Sequence, residues 1–320
     1  MCIIFGKKGS IRMYLLKVNL ARTSEYMPRS LSQISQNCFQ RSLTPKIRLN
    51  VLTTKIPVNI ATSVICVAEI RDWCRRINKK QMVSIAVSES FKEICPSFCG
   101  AAIHATVKNS ALSESLWDEI IAYSNELSEK YTTDTIKERA GIQATRLAYK
   151  AFGKDPSRYR PACEQLARRI LQGKDLYHIN TVVDVVNLLS LYTGYSTAAL
   201  DEACIIGNNV ELGIGWSNEP YQAIGRGVLN IENLPVYRDA EGAFATPTSD
   251  STRTMVSLDT TNLLVLINAY DGDHQHLHEA IKYGVRCLEQ YACASNIEVT
   301  VYASHITPQI EALQQECDCF

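Results

Sequence analysis

The chain has 320 residues, of which 46% are hydrophobic and 21% are charged, and its formal net charge at pH 7 is zero. A chain of this length and composition can bury the core of one large domain or of two smaller ones. No run of 18 or more apolar residues occurs, so the sequence predicts no membrane-spanning helix and no membrane partner.

The zero net charge conceals two oppositely charged parts of the chain. Residues 1–80 contain 15 Lys and Arg against three acidic residues, a balance of +12, whereas residues 81–320 have a balance of −12. This asymmetry predicts a basic, poorly ordered N-terminal extension over 1–80 and a folded domain over 81–320. A targeting segment and a nucleic-acid-binding arm are alternative interpretations of the extension. Twelve scattered cysteines without a secretory signal favour reduced thiols and a cytoplasmic location.

Hydrophobic periodicity becomes legible from residue 82 onward. It predicts, in chain order, strands at 82–88 and 102–109, helices at 113–130, 133–152 and 161–173, a helix within 179–201, short β segments at 210–216, 221–227 and 235–247, a strand at 260–270, a helix at 274–293 and a strand at 297–303. This mixed order favours an α+β domain over a doubly wound sheet.

The helix within 179–201, INTVVDVVNLLSLYTGYSTAALD, is apolar nearly all round and is therefore predicted to lie in the core. Asp184 and Asn187 share a face of this helix because they are three residues apart. A buried carboxylate or amide without a partner costs about 1–3 kcal/mol, so both side chains must bond to a neighbouring loop or to a ligand. Asp201 is predicted to cap the turn that follows the segment.

The densest polar segment is the loop 245–262, ATPTSDSTRTMVSLDTTN. Its hydroxyl groups and its one Asp/Arg pair suit the recognition of a small polar ligand at the entrance to a strand. Together with Asn187, the candidate pocket residues are Ser249, Asp250, Ser251, Thr252 and Arg253. The alternative interpretation is a turn-rich surface loop whose side chains bond to the local backbone.

Two other groups of residues suggest chemistry with less support. His274 and His278 share a helix face while His276 points away, and no third ligand accompanies them, so no metal site is predicted. Cys163 lies in the first turn of a helix downstream of two arginines, a setting that can activate a thiol, but a small residue filling a helix start is the alternative. No cofactor is predicted.

The segment 179–201 resembles the signature helix and loop of the B3/B4 domain in the β subunit of phenylalanyl-tRNA synthetase, P-I-N-x-V-V-D-V-T-N-Y-V-x-L-E-x-G-Q-P-x-H-A-F-D. The residues that match this signature in register are Ile179, Asn180, Val182, Val183, Asp184, Val185, Asn187, Leu191, Gly194, Ala199 and Asp201. The resemblance covers roughly 155–270, and 82–303 fits the layout of stand-alone members of the family. It implies a B3/B4-like mixed α+β domain with helices packed on a mostly antiparallel sheet, in which Asp184 and Asp201 support the fold and Asn187 faces the pocket.

The resemblance also implies an editing module, because the synthetase domain hydrolyses tyrosine mischarged onto phenylalanine tRNA. The family's Thr-Asn pair falls on Val186 and Asn187, its pocket His falls on Ala198, and its Gly-Gly-Glu falls near Ser251-Thr252. Three of the four polar editing positions therefore differ, which changes the specificity of the pocket and puts its chemistry in question. Nothing in the chain corresponds to the class II catalytic core, so a complete aminoacyl-tRNA ligase is not implied.

Three functions are compatible with these residues. The first is a stand-alone relative of the editing domain that binds tRNA or aminoacyl-tRNA and hydrolyses a mischarged ester in trans; the second is a non-catalytic module for a free amino acid or similar small ligand; the third is a plain tRNA-binding protein. DNA is not expected as a partner. Because residues 81–320 are acidic overall, RNA binding requires the extension or a local basic patch. The candidates for tRNA contacts are Arg158, Arg160, Arg168 and Arg169.

Overall fold

The computed structural model describes residues 82–320 and two strands that precede them. These two strands, β1 (Cys2–Lys7) and β2 (Ser10–Leu15), pair antiparallel. The chain divides into two compact units, residues 1–80 and residues 81–320. Apart from β1 and β2, the predicted N-terminal extension lies outside the described residues, so its predicted role stays a prediction.

Residues 82–320 contain ten further strands arranged in two four-stranded sheets and one small hairpin. In chain order they are β3 (Ser84–Val87), β4 (Cys99–Thr106), β5 (Ser196–Asp201), β6 (Asn209–Ile214), β7 (Gln222–Ala223), β8 (Gly227–Val228), β9 (Pro235–Arg238), β10 (Ala243–Ala245), β11 (Asn262–Ala269) and β12 (Ser295–Ala303). The first sheet has the order β12-β4-β11-β5 and is antiparallel throughout. The second has the order β10-β9-β6-β3, with only β3 and β6 parallel. β7 and β8 form the hairpin.

The first sheet is covered on both faces. Along β11, Leu263, Val265 and Ile267 belong to a hydrophobic core shared with the helices, whereas Leu264 and Leu266 belong to a core shared with the second sheet. This division follows from the period of two in a strand, which sends successive side chains to opposite faces. The domain therefore has three layers, helices, first sheet and second sheet, and the double coverage explains why β11 is almost continuously apolar.

Residues 82–320 also contain seven α-helices. They are α1 (Glu89–Ile94), α2 (Glu114–Lys130), α3 (Ala140–Ala151), α4 (Ala162–Leu171), α5 (Thr181–Thr193), α6 (His274–Ala292) and α7 (Pro308–Cys317). Within this described part, no helix combines the length and apolar character needed to cross a membrane. The predicted α+β fold, with helices packed on a mostly antiparallel sheet, is confirmed.

The helix α5 carries the signature segment into the core. Its N-cap is Asn180, whose side chain accepts a hydrogen bond from the backbone N–H of Val183 at 3.0 Å. It ends at Gly194, whose φ of 76° is a left-handed conformation that glycine adopts without steric cost. Ten of its 13 residues are buried, which confirms the prediction of a core helix and fixes the place of Asp184 and Asn187.

The predicted helix at 133–152 is interrupted, which corrects the sequence interpretation. Ile136–Glu138 form a single 3-10 turn, and Arg139 has an extended backbone before α3 begins. This break lets the Arg139 guanidinium donate to the carbonyl oxygens of Leu191 and Tyr192, both at 2.5 Å. These carbonyls belong to the last turn of α5, where no intrahelical donor is left for them. A contact with a distant helix end therefore replaces a local helical turn.

Three elements of the domain are absent from the sequence interpretation. The short helix α1 lies between the predicted strands at 82–88 and 102–109, where no element was predicted. The strand β5 follows α5 within the segment assigned to a helix and its loop, and it is recognisable as a strand through its pairing with β11. The helix α7 lies beyond the last predicted strand and begins at Thr307, whose side chain accepts from the backbone N–H of Ile310.

Candidate functional site

The predicted pocket loop between β10 and β11 forms tight turns whose side chains bond to the protein itself. The Ser251 hydroxyl accepts a hydrogen bond from the backbone N–H of Arg253 at 3.3 Å, which starts a short 3-10 turn. The Ser249 hydroxyl donates to the carbonyl oxygen of Ile224 at 3.3 Å, and Thr252 is exposed. Most of this loop therefore has the local side-chain-to-backbone bonding of the alternative interpretation.

The charge of Arg253 is matched within the protein. Its Nη1 and Nη2 lie 2.9 Å from Oδ2 and Oδ1 of Asp239, and the guanidinium also donates to the carbonyl oxygens of Cys204 and Gly242 at 3.2 Å. The Asp239 side chain is fully buried and accepts a further bond from the backbone N–H of Ile206 at 2.7 Å. Burial raises the pKa of Asp239, but the hydrogen bonds from Arg253 and the backbone outweigh it and hold this pKa below its usual value. A bidentate pair of this kind leaves Arg253 little capacity for a ligand.

Asp250 has an unusual ionisation for a carboxylic acid. The residue keeps some solvent exposure, but burial of its carboxyl group raises its pKa to about 8, against the opposing effect of a hydrogen bond from the backbone N–H of Thr246. Its negative charge is among the causes that raise the pKa of both Tyr221 and Tyr237. A carboxyl group with this pKa can exchange a proton near neutral pH, which is a property of catalytic acids and bases.

Asn187 is partly exposed on α5, and no hydrogen bond or ion pair joins it to loop 249–253 within residues 82–320. The two apolar residues at family editing positions are both buried. Val186 lies in the core shared with the helices, and Ala198 lies in the core between the two sheets. The structure therefore does not bring the candidate pocket residues into one bonded cluster, and their role in ligand binding stays a prediction.

Asp184 and Asp201 both bond to nearby protein groups. The Asp184 carboxylate is buried and accepts from Trp117 Nε1 at 2.9 Å and from the backbone N–H of Ile179 at 3.2 Å. Asp201 accepts from the backbone N–H of Ala203 at 3.0 Å, at the start of a 3-10 turn. These bonds hold the two ends of the signature segment in place.

A cluster of charges surrounds the first turn of α4. The arginine cluster, as we call it, consists of Arg146, Arg160 and Arg168 around the carboxylate of Glu164. The N–O distances are 2.8 Å from Arg146, 3.4 Å from Arg160 and 2.8 Å from Arg168. The Glu164 side chain is fully buried, while the three arginine side chains are 17%, 36% and 20% exposed. One carboxylate therefore balances three guanidinium groups, and the excess positive charge faces solvent.

A cavity of about 290 Å³ adjoins the arginine cluster, because Arg146 lines both. Its other lining residues are Lys137, Glu138, Gln143, Leu147 and Lys150. Three of the lining residues are cations and one is an anion, which extends the positive surface along α3. A second cavity of about 410 Å³ lies between β3 and β12. Neither cavity is lined by a residue predicted for the ligand pocket.

The predicted tRNA contacts divide into two pairs. Arg160 and Arg168 belong to the arginine cluster. Arg169 instead donates from Nε to the carbonyl oxygen of Asp175 at 2.5 Å, and its guanidinium lies 3.8 Å from the centre of the Tyr177 ring. Arg158 is exposed in the loop before α4, and its guanidinium lies 5.6 Å from the centre of the Tyr159 ring. The four predicted arginines thus lie on α4 or in the loop that precedes it, and two of them share the carboxylate of Glu164.

Three residues of this region and of the α5 N-terminus were outside the sequence prediction: Arg146, Glu164 and His178. Glu164 lies four residues from both Arg160 and Arg168, a spacing that places charged partners on one helix face and could have indicated the cluster. Arg146 comes from another helix, so only the fold brings it there. His178 occupies the position of the proline in the family signature, and the mismatch was its only signal.

Comparison with known proteins finds a similar family model and a similar solved structure. Residues 144–293 match the family model described as the B3/4 domain. An N-terminal fragment of the phenylalanyl-tRNA synthetase β subunit from Pyrococcus horikoshii is similar at 15% identity with a TM-score of 0.36, over 69% of this chain and 51% of that chain, so this chain spans about half the length of that fragment. No curated protein gives a significant match. The match to the B3/4 domain model therefore covers α4, α5 and β11.

Proposed function

We propose that this protein binds tRNA or aminoacyl-tRNA through the arginine cluster and hydrolyses a mischarged aminoacyl ester in trans. The observation that carries the proposal is the charge imbalance at Glu164, where three guanidinium groups surround one fully buried carboxylate. Among the described residues, no second carboxylate forms an ion pair with these three arginines, so positive charge is in excess at this place. A polyanion is the ligand that such a surface attracts.

Phosphodiester groups fit the chemistry of this surface. A guanidinium presents paired donors that match two phosphate oxygens, and it is less strongly hydrated than an ammonium group. Arg146 connects the cluster to Lys137 and Lys150 in the adjoining cavity, so the positive surface extends further than a single phosphate. Since residues 81–320 carry a net charge of −12, RNA affinity must come from this local surface or from the basic N-terminal residues.

The presence of a B3/4-like domain supports tRNA as the nucleic acid, because the resembling domain acts on tRNA in the synthetase. The retained Asn187 supports recognition of the aminoacyl end. The family positions at Val186 and Ala198 are apolar, so hydrolysis requires polar groups that the family signature does not contain.

Binding is tested by removing the positive charge. In the full chain, Arg160→Gln with Arg168→Gln is compared with Lys130→Gln and Lys282→Gln, two exposed lysines on other helices. Both double variants lose the same charge, so a specific site predicts a loss of tRNA affinity of at least tenfold in the arginine variant and less than threefold in the lysine control. Fluorescence anisotropy at several salt concentrations measures both. Equal losses would mean that only the net charge of the chain matters.

Hydrolysis is tested separately with a panel of mischarged tRNAs. The full chain is expected to accelerate deacylation of at least one of them over the spontaneous rate. If it accelerates none, the hydrolytic part of the proposal is wrong, whereas the binding part still depends on the arginine variants.

A further inference from the structure

An imidazole at the N-terminus of α5 is fixed by a buried carboxylate. His178 Nδ1 lies 2.5 Å from Oδ2 of Asp184. The Asp184 side chain is 1% exposed, and the His178 side chain is 36% exposed. Nδ1 also lies 3.0 Å from Trp117 Nε1, whose single N–H is shared between Nδ1 and the carboxylate. Because a carboxylate can only accept hydrogen bonds, the shorter contact with Asp184 assigns the ring proton to Nδ1 and leaves the lone pair of the neutral ring on Nε2. No hydrogen bond from Nε2 occurs among the contacts of residues 82–320.

The carboxylate that orients His178 is itself held by two other donors. Trp117 Nε1 donates to the same oxygen at 2.9 Å, and the backbone N–H of Ile179 donates to the other oxygen at 3.2 Å. The indole also packs against the imidazole, with ring centres 5.5 Å apart and nearly perpendicular planes. The carboxylate and the indole therefore fix the orientation of the ring, which is how a general base is prepared for proton transfer.

Other histidines of the described residues lack this combination. His104 also lies beside a carboxylate, that of Glu202 at 3.1 Å, but its ring is buried. His278 lies 2.8 Å from Glu316, whose side chain is 59% exposed and therefore less able to fix a ring. A buried carboxylate paired with an accessible imidazole thus distinguishes His178.

The pair of His178 and Asp184 lies near Asn187, the residue that is retained from the family's editing positions. Asp184 and Asn187 are three residues apart on α5, so their Cβ atoms are about 5–6 Å apart on one face. Val186 and Ala198 cannot supply a base, because neither side chain has a polar atom. His178 precedes the first turn of α5, and its contact with Asp184 places its imidazole at the N-terminal end of the helix that carries Asn187.

We propose that His178 is the general base for ester hydrolysis and that Asp184 is its positioning residue, an assignment that rests on the proposed function. His178 Nε2 takes a proton from water while the water oxygen forms a bond to the ester carbonyl carbon. The bond from that carbon to the ribose oxygen then breaks, and the imidazolium returns the proton to the ribose oxygen. The products are the free amino acid and the tRNA with its hydroxyl group restored.

The test measures binding and hydrolysis on the same full-length variants. The probe is tyrosine esterified to phenylalanine tRNA, together with the mischarged panel. His178→Gln is expected to lower the single-turnover deacylation rate about 100-fold, within the range of general-base contributions, with tRNA affinity changed less than twofold. His305→Gln, at an exposed histidine elsewhere, is the control and should keep the rate.

Two further variants separate catalysis from structure. Asp184→Asn can donate to Nδ1 through its amide and so reverses the tautomer, which should lower the rate without changing the tRNA affinity. Added imidazole should restore part of the rate of His178→Gly, an effect that a structural role would not produce.

Unchanged deacylation by His178→Gln, or no rescue of His178→Gly, overturns the assignment and leaves the proposed function intact. If the wild-type chain deacylates no probe, the assignment and the hydrolytic proposal fail together. The tRNA affinity of the arginine variants can then still be measured, and it decides whether the binding part of the proposed function is correct.

Discussion

The pocket loop after β10 and the arginine cluster adjoin each other but use polar side chains in opposite ways. Gln165 joins them, since its Nε2 donates to the carbonyl oxygen of Thr248 at 3.2 Å. In the loop, the charge of Arg253 is matched by Asp239 and the serine hydroxyls bond to the backbone. In the cluster, one buried carboxylate serves three arginines.

This difference shows which feature of a sequence indicates a binding surface. The loop is dense in polar residues, but most of them form hydrogen bonds within its own turns. Short hydroxyl side chains commonly bond to the local backbone in this way. The helix α4 shows fewer polar residues than the loop, but its charges do not cancel. An unbalanced charge is therefore the stronger indication of a ligand, and the two regions should respond differently to substitution.

The largest effect on stability is expected at the centre of the arginine cluster. Glu164→Gln removes the carboxylate that three guanidinium groups share, and breaking a buried ion pair on one side costs about 3 kcal/mol or more. Because the arginines are partly exposed, we expect a loss of about 3 kcal/mol in the free energy of unfolding, measured in urea. Affinity for tRNA should stay the same or increase, since the variant carries one negative charge less.

Glu129→Gln is the control for this variant, because Glu129 is exposed on α2. It changes the net charge equally and should alter the free energy of unfolding by less than about 0.5 kcal/mol. Equal stability of the two variants would show that the arginines do not depend on Glu164.

Arg253→Ala should have the next largest effect and should act on stability alone. It leaves the buried Asp239 carboxylate with backbone donors only, so we expect a loss of about 2 kcal/mol in the free energy of unfolding. Arg158→Ala, at an exposed arginine, should cost less than about 0.5 kcal/mol. A loss of ligand affinity in Arg253→Ala at unchanged stability would instead support the predicted role of Arg253 in the pocket.

The same pair predicts a dependence on pH. The pKa of Asp239 is lower in the folded protein than its usual value, which is about 3.9 in an unfolded chain. Its contribution to stability is therefore complete above about pH 4 and is lost as the pH falls through the folded value. Acid unfolding of Arg253→Ala should show a weaker dependence on pH in this range than the wild type.

Asp250 should give a smaller effect on stability, and its pH dependence should have the opposite sign to that of Asp239. Its pKa of about 8 in the folded protein exceeds the unfolded value of about 3.9, so between these values the folded state binds the extra proton. Stability therefore decreases as the pH rises through this window, with a slope of up to about 1.4 kcal/mol per pH unit. Asp250→Asn should be more stable than the wild type at pH 7, by about 1 kcal/mol after allowing for partial exposure.

Urea unfolding of Asp250→Asn at pH 5 and at pH 7.5 measures this difference. Asp259→Asn, at an exposed aspartate of the same loop region, should unfold with the pH dependence of the wild type. If Asp250→Asn also keeps that dependence, the Asp250 carboxyl group is not desolvated.

The sequence predicted the parts of the molecule that depend on local patterns. A short apolar run with β-branched residues located β11, and a nearly all-apolar helical pattern located α5, because the burial of these residues requires apolar side chains at consecutive positions. The break at Arg139 and the strand β5 depend on partners more than 50 residues away, so no local pattern shows them. In the same way, the register of charges on α4 is visible in the sequence, but the third arginine arrives from α3 only after folding.

The smallest effect on stability is expected for Asn187→Ala. Asn187 is partly exposed, and its side chain makes no hydrogen bond among the described residues, so the free energy of unfolding should change by less than about 0.5 kcal/mol. If Asn187 faces the aminoacyl group, affinity for aminoacylated tRNA should decrease about three- to tenfold while affinity for uncharged tRNA stays constant. Equal losses for both tRNAs would place Asn187 on the RNA surface, and no loss would remove it from the site. Competition by free amino acids, measured on the same variant, distinguishes a module for small ligands, because only that function binds the amino acid without the tRNA.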